Sequence, residues 1–458
     1  MKILFASSEM FPYAKSGGLA DVAASLPKSL SKFVDISTLM PMYGFMQKEE
    51  LVLEYSDEIS LGGVSYKLKF YKKDNTATYF VEAPLLSDTQ NLYGDEFGDY
   101  VNNDLRFGIF CKAIVVLAKR LSVDVLHLND WHTALSSLYL KEEKSKIKTL
   151  FTIHNLSYQG IFSKKSLKRL SIGKKYFNID GLEFYEKISF LKAGIAYSDA
   201  VTTVSPTYAK EILTKEFGCG LEGFLKYHKN KLYGILNGID TNLFNPKTDL
   251  SLYKNFDYKS LDKKEENKKA FFKNSSLKNS KIPLFVMVTR LVEQKGIDLL
   301  IKSLKKILSK KINLYVVGEG SPDFVAKLEK FSKKYENFEF TNIYDEALSH
   351  RIYAAADFLL MPSKFEPCGL SQMISMTYGA IPIVHEIGGL KDSVIDGVDG
   401  IVFKGERKKD LTLAVERAMD LRKRSELFNS MRVTAMKKDL SFTSSALKYI
   451  EIYKKILS

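Results

Sequence analysis

Lys2-Ile3-Leu4-Phe5-Ala6 and, a little further on, Lys15-Ser16-Gly17-Gly18-Leu19-Ala20-Asp21-Val22 read as a short apolar strand that passes through a glycine pair into an amphipathic helix. Two adjacent glycines at such a junction let backbone N–H groups turn toward an anion at a helix N-terminus, and Lys15 adds a positive charge beside them. A Gly-Gly pair alone is commonly no more than a strand-to-helix turn; the full string is much more specific. It is neither a P-loop, which would end in Gly-Lys-Ser/Thr, nor a G-x-G-x-x-G dinucleotide fingerprint.

Outward from that junction, strand-like and helix-like runs alternate, the pattern of parallel sheets covered by helices. Val125 to Leu128, Thr149 to Ile153, Ala200 to Val204 and Leu232 to Leu236 are short, β-rich and end in polar residues. The scheme returns with Leu284 to Val288, Leu314 to Val317, Phe338 to Asn342, Phe358 to Met361 and Ile381 to Val384, so a second doubly wound domain is predicted. Ligands of open α/β sheets bind beyond the carboxyl ends of the strands, and the polar residues there are where chemistry belongs. Asn237 to Leu252, with Gly238, Asn242, Asn245 and Pro246, reads as turns and marks the hinge. Phe442 to Leu457 carries Ala446, Tyr449, Ile450, Tyr453 and Ile456 at helical spacing with no strand after it, so it needs a surface to pack on.

A chain of 458 residues favours two or three domains, and 45% hydrophobic with 27% charged residues is a globular composition. No apolar run approaches the roughly 18 residues of a bilayer span, and Met1 to Ala6 leads directly into a strand, so neither a membrane partner nor a secretory leader is expected. Cys111, Cys219 and Cys368 lie far apart without a C-x-x-C, which fits a reducing, cytoplasmic setting. The net charge of +14 admits nucleic acid or phosphorylated substrates. The lysines are spread along the chain as solvated helix faces, and the densest cluster, Tyr253 to Lys281, interleaves them with Glu265 and Glu266 in a helix surface or linker, so no nucleic-acid partner is predicted.

Individual residues then stand out. Arg290 and Lys295 lie between a strand end and a helix predicted over Asp298 to Leu308, where both cations reach one phosphate group; at that spacing alone they would read as a surface pair. Glu366 to Ser371 follows the strand Phe358 to Met361 and opens a helix predicted over Leu370 to Tyr378, whose N–H groups make a second anion site. Glu366-Pro367 also reads as a capping turn, and Cys368 as a small buried hydrophobe. His154-Asn155 ends the strand Thr149 to Ile153, and Asp130-Trp131-His132 follows Val125 to Leu128. Trp131, the single tryptophan, reads as a core anchor or as a sugar-stacking ring beside Asp130.

The string from Lys15 to Val22 resembles the K-x-G-G-L-A-D-V signature of bacterial glycogen synthases and plant starch synthases. Matches to the same family follow in order along nearly the whole chain: Ser8-Glu9, Tyr93-Gly94-Asp95, Asn129-Asp130-Trp131-His132, Thr152-Ile153-His154-Asn155, Leu236-Asn237-Gly238-Ile239-Asp240, Arg290-Leu291-Val292-Glu293-Gln294-Lys295-Gly296 and Pro362-Ser363-Lys364-Phe365-Glu366-Pro367-Cys368-Gly369-Leu370. The resemblance implies an α/β protein of GT-B fold, with two Rossmann-like doubly wound domains facing a central cleft. Residues 1–240 would form the acceptor side, 241–438 the nucleotide-sugar side, and 439–458 a helix crossing back to the first domain.

The implied activity is that of a glycogen (starch) synthase, transferring glucose from ADP-glucose to the non-reducing end of an α-1,4-glucan with retention of configuration. No cofactor is implied beyond ADP-glucose as donor substrate. The resemblance implies Lys15, His154, Arg290, Lys295 and Glu366 as catalytic residues, with His154 orienting the sugar and Glu366 near the transferred glucose. It implies Glu9, Gly17, Gly18, Asp21, Tyr93, Asp130, Trp131, Asn155, Asn237, Tyr344, Cys368, Gly369, Leu370 and Ser371 as substrate-binding, Tyr344 against the nucleotide base. Ser16 and Ser371 stand where Thr is common and keep the hydroxyl, whereas Asp345 stands where relatives often carry His. Closure of the two domains would bring Lys15, Arg290 and Lys295 around the diphosphate.

No D-x-D, H-E-x-x-H, Cys/His metal spacing or G-x-S-x-G occurs, so no metal is predicted and the diphosphate falls to Lys, Arg and helix ends. Gly318-Glu319-Gly320 follows a strand but lacks the third glycine of a dinucleotide loop. The rival readings are another GT-B enzyme, such as a UDP-glucose-dependent glucan synthase, a sucrose synthase, a glucan phosphorylase or a surface-polysaccharide transferase, and a non-catalytic glucan-binding protein.

Overall fold

Strand Lys2–Ala6 is buried from Ile3 onward and lies inside a nine-stranded sheet in the computed structural model, which describes residues 1–343 and 345–458. Across the sheet the order is Leu232–Gly234, Ala200–Thr203, Lys148–Ile153, Val125–Asn129, Lys2–Ala6, Asp35–Pro41 and Thr78–Glu82, all parallel. Counted in chain order, this is the 3-2-1-4-5-6 succession of a doubly wound sheet with one strand added. Its topological switch point lies between Lys2–Ala6 and Val125–Asn129, whose helices leave on opposite sides. Val64–Lys73 and Leu51–Leu61 then extend the sheet antiparallel at its far edge.

A second sheet, among the described residues, is six-stranded and wholly parallel: Phe338–Thr341, Asn313–Val317, Leu284–Val288, Phe358–Met361, Ile381–His385 and Ile401–Phe403. This order again is 3-2-1-4-5-6, with its switch point between Leu284–Val288 and Phe358–Met361. The chain divides into one unit of Met1–Asn237 with Phe442–Ser458, and another of Gly238–Ser441. Asn237 to Leu252, where turns were predicted, contains neither helix nor strand apart from an isolated bridge between Ile239 and Ser441.

The terminal helix spans Phe442–Leu457 and packs on helix Gly18–Leu30 of the first unit. It buries Phe442, Ala446, Tyr449, Ile450 and Tyr453 in the cluster that holds Ile3, Phe5 and Leu26. Full burial of one such side chain is worth about 1.5–3 kcal/mol, so this stripe is ample reason for the helix to dock.

One expectation is corrected. Lys264 and Lys268, read as part of a solvated helix face, are only 1% and 2% exposed on helix Leu261–Lys273. Lys268 Nζ lies 2.5 Å from Asp357, which also receives Arg432 at 2.7 Å and Arg422 at 3.2 Å. Lys264 Nζ donates to the carbonyls of Tyr353 and Ala354. A fully buried aspartate requires compensating cations, and these come from three helices. No helix among the described residues is long and apolar enough to cross a membrane.

Candidate active site

At the first unit's switch point the loop after Lys2–Ala6 is organised by Glu9, whose residue is 3% exposed. Its carboxylate accepts from Ser16 N and Ser16 Oγ at 2.6 Å each, from Gly17 N at 3.3 Å and from Tyr93 Oη at 2.5 Å. The anion predicted for the glycine loop is therefore supplied partly by the protein, and the loop is preformed. Lys15 Nζ lies 2.7 Å from Asp21 Oδ1, on the first turn of helix Gly18–Leu30. Gly17 is extended (φ −165°), and a Cβ there would meet nothing within 4 Å, so open space and no packing constraint lies beside it. A pocket of about 610 Å³ adjoins the loop, with Tyr13, Lys15, Phe45, Gln90 and Asp95 among its walls.

Across the switch point, Asp130 caps helix Trp131–Glu142 with φ 56° and ψ 179°, a region nearly confined to glycine that costs an ordinary residue about 1–3 kcal/mol. Its N–H donates to Thr152 O at 2.9 Å, and its Oδ1 accepts from His154 N at 2.7 Å. Burial pushes the Asp130 carboxyl up to about 7, against the pull of the backbone donors of His154 and Asn155. His154 Nε2 meets Asn129 Oδ1 at 2.9 Å, while Asn129 Nδ2 donates to Ala6 O at 2.9 Å. That second bond orients the amide, so Nε2 carries the proton and Nδ1 is left as an acceptor. Burial pushes the imidazole down to about 3, so it is neutral at physiological pH. A neutral histidine with a free acceptor nitrogen suits a sugar hydroxyl.

Trp131 is 8% exposed and surrounded by Phe107, His132, Phe162 and Phe190 at ring-centroid distances of 4.8, 4.0, 5.7 and 6.1 Å. That is the geometry of a core anchor. Asn155 Oδ1 accepts from Ser157 N in a tight turn after the strand. Asn237, at the end of the first unit, is buried, and its Oδ1 has no hydrogen-bond partner among the described residues.

The second unit places its candidates on the loops after the two strands flanking its own switch point. Lys295 Nζ lies 2.9 and 2.7 Å from the two oxygens of Glu366, and Ser363 Oγ donates to Glu366 Oε2 at 3.1 Å. Lys364 N donates to Gln294 O, and Gln294 Nε2 to Phe365 O, which stitches the loops together. Arg290 is exposed, and its side chain has no ion pair or hydrogen bond among the described residues. Gly296 takes φ +70° and starts helix Ile297–Leu308. Cys368 is buried against Gly389; Gly369, at φ +74°, turns the chain toward Leu370 and Ser371. The helix Ser371–Thr377 has seven residues, too few for much macrodipole, so any anion there relies on the loop's own N–H groups. Tyr344 lies outside the described residues.

Within each unit, then, hydrogen bonds join Glu9, Ser16, Gly17 and Tyr93, then Asp130 and His154, and finally Lys295 and Glu366. Asn129, Thr152 and Ser363 were not singled out from the sequence, although each belongs to a motif string that was. Their signal was position alone, near the polar end of a buried strand.

The starch synthase catalytic domain family matches residues 2–227, and the glycosyl transferases group 1 family matches 268–432. The glycogen synthase of Aquifex aeolicus is 40% identical over 466 residues, covering 100% of both chains. That of Thermodesulfovibrio yellowstonii is 39% identical over 487 residues, covering 100% of this chain and 98% of its own. The chain belongs to the glycogen synthase family. It is accordingly a glycosyltransferase of GT-B fold. The catalytic domain of starch synthase IV from Arabidopsis thaliana, solved with ADP and acarbose bound, matches with a TM-score of 0.91 at 33% identity, covering 100% of this chain and 99% of that one. Sucrose-phosphate synthase from Thermosynechococcus elongatus, with a TM-score of 0.65 and 16% identity, shares the fold alone.

Proposed function

We propose that this member of the glycogen synthase family transfers glucose from ADP-glucose to the non-reducing end of an α-1,4-glucan, with retention of configuration, in the cytoplasm. The observation that carries the reading is the Lys295–Glu366 pair, whose lysine follows the exposed Arg290 on the same loop. As the glucosyl bond breaks, charge grows on the departing diphosphate, and cations already fixed in place stabilise it without reorganisation. Glu366 holds Lys295 in position for that task. On the first unit, Lys15 is held by Asp21, and neutral His154 offers Nδ1 to a sugar hydroxyl. Retention then follows from attack by the acceptor 4-hydroxyl on the face the diphosphate leaves, with no covalent nucleophile. The choice of ADP-glucose is supported by the ADP bound to the plant starch synthase and by the bacterial glycogen synthases among the relatives.

The test is to incubate the protein with glycogen and with labelled ADP-glucose or UDP-glucose, and to follow glucan labelling and the nucleoside diphosphate released. Release of ADP with new α-1,4 linkages is the expected result. Release of UDP alone would overturn the donor, and glucan binding without transfer from either donor would favour the non-catalytic reading.

A further inference from the structure

A chain of buried hydrogen bonds runs from the terminal helix into the floor of the first unit's candidate site. Tyr453 Oη lies 2.7 Å from His127 Nδ1, and His127 Nε2 lies 2.7 Å from Thr152 Oγ1. Thr152 Oγ1 in turn lies 2.6 Å from Thr202 Oγ1. His127, Thr152 and Thr202 stand on three neighbouring strands, Val125–Asn129, Lys148–Ile153 and Ala200–Thr203, and all four residues are buried. His127 lies on the strand that ends in Asn129, and Thr152 on the strand that leads to His154. The Tyr453 ring packs in the core cluster, but its hydroxyl and the three polar side chains in the sheet interior cost stability unless each is satisfied.

The main chain continues the link. Thr152 O accepts the N–H of Asp130, the residue held in a strained backbone conformation, and Asp130 Oδ1 accepts the N–H of His154. A strained conformation persists only where its surroundings over-determine it, and the Thr152 carbonyl is one of the few struts Asp130 has. A neutral imidazole has one donor and one acceptor nitrogen, so whichever role Tyr453 takes at Nδ1 fixes the role Thr152 meets at Nε2. Burial holds His127 far below the ordinary histidine range, which keeps it in that neutral state.

We propose that Tyr453 is a positioning residue for the Asp130–His154 pair, acting through His127 and Thr152. It touches no reacting atom. The helix that bears it is reached by the chain only after the whole second unit, so its docking completes the site of the first. This inference rests on the transferase reading for its kinetic test, but not for its spectroscopic one.

The test compares Tyr453→Phe with Ile450→Val, which trims the packing of the same helix without touching the polar chain. Tyr453→Phe is expected to lower kcat about tenfold with KM for donor and glucan changed by less than about twofold, the signature of a lost positioning bond. Ile450→Val should lower Tm and leave kcat unchanged. With ¹⁵N-histidine labelling, only six imidazoles are present to assign, and Tyr453→Phe should shift the ring resonances of both His127 and His154. Unchanged kcat, or a fall that Ile450→Val reproduces, would overturn the proposal. So would a His154 resonance that stays fixed while that of His127 moves. If wild-type protein transfers no glucose, the activity reading fails and the resonances alone decide the positioning. Should Tyr453→Phe not fold, Thr152→Val interrupts the same chain, with Thr152→Ser expected to restore it.

Discussion

Lys295 Nζ binds both carboxylate oxygens of Glu366, at 2.9 and 2.7 Å, and so joins the loops after the first and fourth strands of the second unit's sheet at its switch point. Lys295→Ala should lower kcat by about two to three orders of magnitude, the usual loss when one fixed donor to a developing anion is removed. Glu366→Gln should lower kcat as well, because the ammonium loses the charge that aims it. Steady-state kinetics check both, and a Lys295→Ala enzyme with unaltered turnover would remove that residue from the mechanism.

Glu9 gathers donors from Ser16, Gly17 and Tyr93. Glu9→Gln keeps the shape, and its NH2 can face the Ser16 and Tyr93 hydroxyls, but it removes the negative charge that strengthens the bonds from Ser16 N and Gly17 N, so the clasp on the loop loosens. The expected result is a fall of about tenfold or more in kcat/KM with an unchanged circular dichroism spectrum. Wild-type kinetics in Glu9→Gln would mean that the clasp is irrelevant to turnover.

Acid stability should depend on Asp357. Burial alone would raise its carboxyl, but Lys268, Arg432 and Arg422 outweigh that and hold it at about 2. The folded value lies below the unfolded one near 4, so the stabilisation is present above about pH 4 and is lost as pH falls from about 4 to about 2. Asp357→Asn should unfold more readily at neutral pH, by about 3–5 kcal/mol, because Lys268 is left buried without a counter-charge and Arg432 with Glu265 alone. Its remaining stability should fall less steeply with acid, which urea melts across that range would reveal.

Asp130 works with the opposite sign. Its folded value of about 7 lies above the unfolded one near 4, so its contribution is full below about pH 4 and is lost as pH rises through about 7. Wild-type stability measured relative to Asp130→Asn should therefore decline between about pH 5 and 8. The His154 ring, held at about 3 by burial, should show flat ¹⁵N resonances over that interval, and a midpoint near 6.5 would contradict its assigned neutral role.

Two glycines should part company. In Gly296→Ala the new Cβ would lie 1.9 Å from Pro362 O at a residue with φ +70°, so the loop carrying Lys295 must shift. A loss of at least about 2 kcal/mol, together with most of the activity, is expected. Gly17→Ala meets nothing within 4 Å and should match wild type in thermal melts. Kinetics of that variant then report directly on how close substrate comes to the loop.

Much of the fold was legible because parallel strands buried on both faces appear as continuous apolar runs, as in Leu284–Val288 and Phe358–Met361. The hairpin of Leu51–Leu61 and Val64–Lys73 was not read, because few of its residues are buried and they alternate apolar side chains with Glu, Asp and Lys. Lys264 and Lys268 were misread for a related reason: composition cannot tell which face of a helix is turned inward. Candidates such as His154, Asp130 and Glu366 could be assigned to strand ends. Sequence carries no distance, however, and Lys295 meets Glu366 across 71 positions while Tyr453 meets His127 across 326.

By itself the sequence determined the two doubly wound sheets, the terminal helix and the strand ends where polar side chains gather, since these follow from local periodicity and from where apolar runs stop. Only the tertiary structure decided that Glu9 closes on the glycine loop, that Asp130 is strained and that Trp131 is walled in by aromatic rings. It also decided that three cations converge on Asp357. Those outcomes depend on which strands become neighbours, and strand order is set by packing the whole sheet rather than by any one segment of it.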